Sequence, residues 1–126
     1  MIDAHDELYR SLNAMLGGDP SPVLAVWSDA DDVTYAGPFG GVTTGRAAVA
    51  DAFTAQAAMH LAGRLEVSDV TLVETDGMGY TFCTEHGIDH VIDGASVNLT
   101  HRATNVFRRE ADGWRLVHHH TDRSSG

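Results

Sequence analysis

The sequence predicts an α+β domain in which helices come first and an antiparallel sheet follows. Apolar residues recur at three- and four-residue steps in the first half of the chain, which is typical of helices. The second half changes to a period of two, which is typical of strands. Because the two kinds of element are segregated, an alternating parallel fold is not expected. The length of 126 residues fits a single domain over 1–126.

Three helices are predicted in the first half. The first ends at Gly17-Gly18, since glycine readily adopts the left-handed conformation that closes a helix. The second is short, begins around Pro20 and runs to Trp27. The third follows Gly45 and extends to about Met59. A brief extended segment over 33–35 and the turn-rich stretch GPFGG lie between the second and third helices. The apolar face of the first helix consists of Leu8, Leu12, Met15 and Leu16.

Four long strands are predicted in the second half. Asp93-Gly94 and Asp112-Gly113 separate neighbouring strands and favour tight hairpins, so the strands form an antiparallel meander. The end of the chain, about 123–126, is predicted to be a flexible tail. The strands are predicted at about 64–75, 78–92, 96–110 and 113–122.

Charge and cysteine content exclude several classes of function. The net charge of −10 argues against binding to nucleic acid or to an anionic membrane surface, both of which need a basic face. No apolar run is long enough to span a membrane. Cys83 is the single cysteine, so no intrachain disulfide can form and a cytoplasmic location is expected. Its place in a predicted strand favours a small core residue over a nucleophile.

The chain resembles a known family over nearly its whole length. The segment GGDPSPVLAVWSDADDVTYAGPFGGVTTGRAAVADAF is similar to the amino-terminal half of SnoaL-like and ketosteroid-isomerase-like proteins of the nuclear-transport-factor-two-like superfamily. The ending RATNVFRREADGWRLVHHHTD is similar to the family's carboxy-terminal strands. The resemblance implies a cystatin-like fold, in which a curved antiparallel sheet wraps around the helices as a cone with an internal pocket. It also implies a homodimer through the sheet.

The residues that ketosteroid isomerases use are absent at the matching positions. Such enzymes remove a proton with an aspartate and stabilise the enolate with a tyrosine and a protonated acid. The matching positions hold Gly37 for the base, Ser11 for the tyrosine and Asn105 for the acid. Steroid isomerisation by the aspartate route is therefore not expected, although Asn105 could still donate a hydrogen bond to an oxyanion.

Alternation predicts which strand residues face the interior. In the strand over 96–110, His101 and Asn105 fall in the more apolar set, which is expected inside. In the last strand Trp114 marks the inner face, so His118 and His120 are expected inward and His119 outward. Arg102 and Thr104 are expected outward, unless a bulge reverses their facing. Surface positions are expected for Glu85, Asp29, Asp31 and Asp32, and core positions for Trp114 and Phe53.

The resulting hypothesis is a pocket that binds a small, largely apolar organic ligand. If the protein is an enzyme, cofactor-independent acid–base chemistry is expected: isomerisation, cyclisation, hydration or dehydration. His120 is the predicted proton donor or acceptor, His118 its partner, and Asn105 or Tyr35 the group that orients a ligand oxygen. The predicted ligand-contacting residues are Trp27, Phe53, His60, Tyr80, Phe82, His101 and Phe107.

Two alternatives stay open at this point. The missing carboxylate at Gly37 favours a module that only binds a ligand or only dimerises. A metal site is the other alternative, since His118 and His120 lie two residues apart on one strand and His101 on a neighbouring strand could complete a three-ligand set. The sequence lacks an H-E-x-x-H pair and a cysteine cluster, so no metal is predicted.

Overall fold

A computed structural model describes residues 1–124 and confirms the α+β class. Each of the four long strands begins and ends within one residue of its predicted limits. The third helix also matches its prediction, and a short strand, β2, which the sequence did not predict, forms between the turn-rich stretch GPFGG and that helix. The helices are α1 (Ile2–Leu16), α2 (Ser21–Val26) and α3 (Arg46–Ala58), and the strands are β1 (Thr34–Ala36), β2 (Thr43–Thr44), β3 (Arg64–Glu74), β4 (Met78–Ile92), β5 (Ala95–Glu110) and β6 (Gly113–Arg123).

The six strands form one curled sheet in the order β2-β1-β6-β5-β4-β3. The four long strands make the predicted antiparallel meander, whereas β1 pairs with β6 in parallel. The hairpin between β4 and β5 turns through Asp93 and Gly94, both at positive φ, as a tight two-residue turn requires. The parallel pairing is not predicted from the sequence, because β1 is only three residues long and pairs with a strand far along the chain.

Three β-bulges interrupt the ladders and change which residues face inward. The register shifts between Ser68 and Thr71 in β3, between Gly87 and His90 in β4, and between Val106 and Phe107 of β5 against β6. A bulge inserts one unpaired residue, so every side chain beyond it changes face. The inner and outer faces therefore cannot be followed by simple alternation along a whole strand.

The core lies between the inner face of the sheet and the helices. Trp27, Phe53 and Tyr35 pack together, with ring centroids 4.6–6.4 Å apart. Phe107 and Leu8 are fully buried beside them. Cys83 is 1% exposed, which confirms the prediction of a core cysteine. Trp114 is partly buried against the same core, under the guanidinium group of Arg109.

The carboxy-terminal end departs from the predicted flexible tail. Arg123 is the last residue of β6, and the backbone N–H of Ser124 donates to the carbonyl oxygen of Thr100 at 2.9 Å. The rest of the predicted tail, 125–126, lies outside the described residues. Within residues 1–124, none of the helices is both long enough and apolar enough to cross a membrane.

Candidate functional site

A cavity of about 80 Å³ opens between the helices and the inner face of the sheet. This volume is well below the roughly 300–1,000 Å³ of sites for drug-sized ligands, so the cavity suits a compact molecule. Its mouth is at the apolar side chain of Phe39, which is 62% exposed among otherwise buried or half-buried lining residues. Deeper residues that line it include Phe53, Tyr35, Gln56, Glu85, His101, His119 and Thr121.

Side chains on the inner face of the sheet form three rows, and Glu85, His101, His119 and Thr121 are the members that line the cavity. The registers of β4, β5 and β6 place Glu85, His101 and Arg123 in one row. The next row holds Cys83, Ala103 and Thr121, and the third holds Thr81, Asn105 and His119. Ala103 lies at the centre of these rows, is 1% exposed, and belongs to the core and not to the cavity lining.

Glu85 is the main departure from the expected surface positions. Its side chain is only 4% exposed, and its carboxyl group lines the cavity. The Tyr9 hydroxyl donates a hydrogen bond of 2.7 Å to Glu85 Oε2. Burial raises the pKa of the Glu85 carboxyl to about 7, although the hydrogen bond from Tyr9 opposes the rise. A carboxyl group in this range can both hold and release a proton near neutral pH.

A chain of buried hydrogen bonds connects Glu85 with β5. Asn105 Nδ2 donates to the Tyr9 hydroxyl at 3.1 Å and to Thr81 Oγ1 at 3.2 Å. Thr81 Oγ1 in turn lies 2.9 Å from His5 Nδ1. Because the Tyr9 hydroxyl accepts from Asn105, its own proton is free for Glu85. The network therefore holds the Glu85 carboxyl group in place.

His119, and not its neighbours, is the inward histidine of the last strand. It is 4% exposed, and its Nδ1 is hydrogen-bonded to Asn105 Oδ1. Its ring stacks on that of Tyr35 at a centroid distance of 5.8 Å and an interplanar angle of 9°. Burial lowers the pKa of His119 to about 3, and the nearby His118 and His120 act in the same direction. His119 is therefore neutral, with the proton on Nδ1 and an acceptor lone pair on Nε2.

The expected inward facing of His118 and His120 is wrong. The bulge at Val117 makes Leu116 the partner of Phe107 and His118 the partner of Val106, so the facing reverses between them. His118 lies on the outer face, where its Nδ1 is 2.7 Å from Thr34 Oγ1, and His120 is exposed beside Asp122.

The outer position of these two histidines also separates the three metal ligands considered above. His101 is on the inner face, opposite to His118 and His120, so the three cannot surround one ion. Within residues 1–124, no group of three or more His, Cys, Asp or Glu side chains is placed to hold a metal ion.

The predicted ligand-contacting residues divide into three groups. Phe53 and His101 line the cavity, as does Tyr35. Tyr80 and Phe82 instead lie on the outer face, 40% and 45% exposed, which corrects their predicted facing. Their inner neighbours on β4 are Thr81 and Cys83.

Trp27, Phe107 and His60 do not line the cavity. Trp27 and Phe107 are buried in the core behind it. His60 follows the end of α3, is exposed, and has its ring close to Gly18 rather than at the mouth. Arg102 and Thr104 lie on the outer face as predicted, and Arg102 forms a two-pronged ion pair with Asp122 at 2.7 and 3.0 Å.

Gly37 and Ser11 show why this site differs from an isomerase site. A Cβ atom at Gly37 would come within 2.2 Å of the Tyr35 hydroxyl, so the space that a base would need is already filled. The Tyr35 hydroxyl is held there by Gln56 Nε2 at 2.6 Å. Ser11 only bonds to the Leu8 carbonyl of its own helix, whereas Tyr9 supplies the buried phenol.

The comparisons with known proteins agree with this fold. Residues 7–121 match a family described as a SnoaL-like domain. No curated protein gives a significant match. A Thiobacillus denitrificans structure, whose name suggests a calcium/calmodulin-dependent protein kinase type II association domain, is 31% identical with a TM-score of 0.81; the match covers 97% of this chain and 93% of that one.

Two further solved structures share the fold. An NTF2-like family protein from Streptomyces avermitilis, whose name suggests a dehydratase, is 26% identical with a TM-score of 0.84 and coverage of 98% and 93%. A ketosteroid isomerase-like protein from Erwinia carotovora atroseptica is 16% identical with a TM-score of 0.78 and coverage of 98% and 93%. The names of these relatives suggest different functions, so the chemistry has to be argued from this chain's own cavity.

Proposed function

This chain belongs to the SnoaL-like domain family, and we propose that its cavity binds a small, largely apolar organic molecule and catalyses cofactor-independent acid–base chemistry on it. The reaction class is isomerisation, cyclisation, hydration or dehydration. Glu85 is the group that transfers the proton. The observation that carries the proposal is the Glu85 carboxyl group, which is 4% exposed and lines the cavity.

The surroundings of Glu85 support this role. A general acid or base works best when its pKa is near the working pH, and burial brings that of Glu85 to about 7. Tyr9 fixes one carboxyl oxygen, while the other, Oε1, accepts no hydrogen bond from residues 1–124. Tyr35 accepts its hydrogen bond from Gln56, so its hydroxyl proton is free to be donated to a ligand oxygen. The site thus combines one proton-transferring group with one oxygen-binding donor.

Hydrogen–deuterium exchange next to a carbonyl group tests the proposal. Cyclopentanone in D₂O, followed by proton NMR, is a compact probe for proton removal. We expect the wild-type protein to catalyse the exchange and Glu85→Gln to lose about 10²-fold or more of the rate. His120→Ala, which alters an exposed histidine on the outer face, is the matched control and should keep the rate. Equal rates for the wild type and Glu85→Gln would overturn the assignment of Glu85.

The outer face of the sheet favours a second function, the formation of a homodimer. Tyr80, Phe82, Met78 and Val73 are between 40% and 46% exposed on neighbouring strands. Tyr80, Met78 and Val73 border one shallow groove with Val106, and Phe82 borders a second groove that shares Thr104 with the first. Apolar surface of this kind marks interaction sites in soluble proteins. The relative whose name suggests an association domain supports the same idea. The proposed partners are therefore a small ligand and a second copy, with neither nucleic acid nor membrane.

Sedimentation analysis tests the dimer. Phe82→Glu should give a monomer, because a charge would be buried in the interface. Phe39→Glu changes a 62% exposed aromatic at the cavity mouth and should leave the dimer intact. A wild-type protein that sediments as a monomer at micromolar concentration would contradict the proposal.

A further inference from the structure

The cavity contains hydrogen-bond acceptors and an acid but no permanent cation. The sequence has no lysine, and none of its arginines lines the cavity within residues 1–124. His119 is neutral, and Glu85 has no cationic partner in the described part of the chain. A ligand that carries a carboxylate or phosphate would therefore bring a second negative charge next to Glu85 in a dry space. Such an ion would lose its hydration without gaining a cationic partner.

Three polar atoms of buried residues in the cavity lining are available to accept hydrogen bonds. Glu85 Oε1 accepts none from residues 1–124, and His119 Nε2 carries a free lone pair because Nδ1 holds the proton. Thr121 Oγ1 is the third. It belongs to a side chain that is 5% exposed, lines the cavity, and has no hydrogen-bond partner among the described residues. A buried hydroxyl without a partner costs about 1–3 kcal/mol, so a ligand that satisfied it would be bound more tightly.

Two of these acceptors, on Glu85 and Thr121, lie two strands apart on the inner face of the sheet. Thr121 is the β6 neighbour of Ala103, and Glu85 is diagonal to it on β4. Strands lie about 4.8 Å apart and alternate residues about 6.8 Å apart, so the Cα atoms of Glu85 and Thr121 are roughly 12 Å from each other. A molecule of four to six non-hydrogen atoms between their side chains could reach both. The aromatic rings of Tyr35 and Phe53 form the opposite wall, and a cation is attracted to such rings.

We propose that the ligand of this cavity is a small aliphatic amine, whose nitrogen pairs with Glu85 and whose apolar body lies between Glu85 and Thr121 against Tyr35 and Phe53. The proposal rests on the proposed function, since it names the class of ligand for that same cavity. At neutral pH an aliphatic amine is an ammonium ion, so the Glu85 carboxyl group releases its proton to the solvent as the ammonium ion enters. The resulting carboxylate and the ammonium ion form an ion pair, so the cavity carries no net charge after binding.

Three probes with the same isobutyl body test the proposal. Isobutylamine, isobutanol and isovalerate differ only in the polar group, and their size suits the cavity. Binding is followed by NMR titration at neutral pH, through the resonances of Thr121 and His119. We expect isobutylamine to bind at least tenfold more tightly than isobutanol, and isovalerate to bind more weakly than either.

Two variants show whether Glu85 is responsible. Glu85→Gln keeps the shape but removes the charge, so it should bring the amine to within threefold of the alcohol while the alcohol still binds. Asp122→Asn removes a carboxylate from the outer face and should leave the preference unchanged. If Asp122→Asn abolished the preference for the amine instead, the amine would be binding to the carboxylate on the outer face and not in the cavity. The proposal would then be wrong.

The outcomes for the two proposals are distinguishable. The wild-type protein could bind isobutanol in the cavity as tightly as isobutylamine, or bind isovalerate most tightly. Either result would overturn the proposal of an amine ligand but would still support a cavity that binds a small organic molecule. If none of the three probes shifts the Thr121 and His119 resonances, both proposals are overturned. The wild-type comparison decides between these results even if a variant fails to fold.

Discussion

The Tyr9 hydroxyl and the Glu85 carboxyl group are joined by a hydrogen bond of 2.7 Å between the first helix and the fourth strand. The two residues are 76 positions apart in the chain, so the bond forms only when the helix packs against the sheet. It leaves Glu85 with one bonded and one free oxygen. The same contact that stabilises the fold therefore positions the candidate proton-transferring group.

Tyr9→Phe should show both roles of this bond. Loss of a hydrogen bond to a buried carboxyl group is expected to lower the free energy of unfolding by about 1–3 kcal/mol. It should also raise the pKa of Glu85 further, because the Tyr9 hydroxyl lowers it in the wild type. Chemical denaturation measures the first effect, and carbon NMR of the labelled carboxyl group measures the second.

Ser11→Ala is the control for Tyr9→Phe. It removes another buried hydroxyl of α1, but one that bonds only to the Leu8 carbonyl of the same helix. Its expected cost is below about 1 kcal/mol, and the Glu85 pKa should not move. If both variants shifted the Glu85 pKa equally, the shift would come from general loosening of α1 and not from the Tyr9 bond.

The pH dependence of stability should report the burial of Glu85. Its pKa is about 7 in the folded protein against 4.5 for the free group, so the folded state binds more protons between these values. Stability relative to Glu85→Gln should therefore fall as pH rises from about 4.5 to about 7, by roughly 2–4 kcal/mol. Tyr9, Cys83, Tyr35 and His101 face Glu85, and none of them is a permanent cation that would reverse the sign.

The comparison with Glu85→Gln is needed because His119 acts in the opposite direction. Its pKa falls from 6.5 to about 3 on folding, so its contribution to stability is lost as pH falls below 6.5. The contribution of His119 to the free energy of unfolding is the same in the wild type and in Glu85→Gln, so it cancels when the two stabilities are subtracted. Denaturation curves at several pH values supply the measurement. A difference that is flat between pH 4.5 and 7 would mean that Glu85 is ionised throughout.

His119→Ala and His120→Ala form a matched pair that tests the facing of β6. His119 is buried, bonded to Asn105 and stacked on Tyr35, so its loss should cost about 2–4 kcal/mol. His120 is exposed, and its loss should change stability by no more than about 0.5 kcal/mol. Urea denaturation measures both. A larger loss of stability for His120→Ala than for His119→Ala would show that His120 faces inward, as alternation predicts.

The sequence predicted the elements better than the faces. Strand limits follow from local signals such as Asp93-Gly94, which need no tertiary information. Facing depends on counting residues along a strand, and one unpaired residue changes every position beyond it. The bulge at Val117 placed His119 inside and His118 outside, and nothing in the local sequence GWRLVHHH marks it.

Glu85 and Tyr9 were missed although a signal for each was present. Cys83 was predicted to be in the core, and on an undistorted strand its neighbour two residues later must share its face. This reasoning places Glu85 inside and Tyr80 and Phe82 outside, as observed. Tyr9 lies four residues after the buried His5 and three before Leu12, so it continues the buried face of α1. The predictions relied on residue type instead of position along the strand. The Glu85 carboxylate was therefore expected at the surface, and the rings of Tyr80 and Phe82 were expected inside.

The contact between Gly37 and Tyr35 gives a further test of the site. Any Cβ at Gly37 would lie 2.2 Å from the Tyr35 hydroxyl and 2.6 Å from its Cζ, so the tyrosine would have to move. Gly37→Ala should therefore destabilise the protein by about 1–3 kcal/mol, as overpacking does in other cores.

A double-mutant cycle with Tyr35→Ala isolates this clash. With the tyrosine ring removed, the three atoms nearest to a methyl group at position 37 are gone, so Gly37→Ala should then cost less than about 0.5 kcal/mol. The coupling between the two substitutions is expected to be about 1–2 kcal/mol, which denaturation experiments resolve. Additive effects would show that Tyr35 does not fill the space beside Gly37, and that a base at this position had room after all.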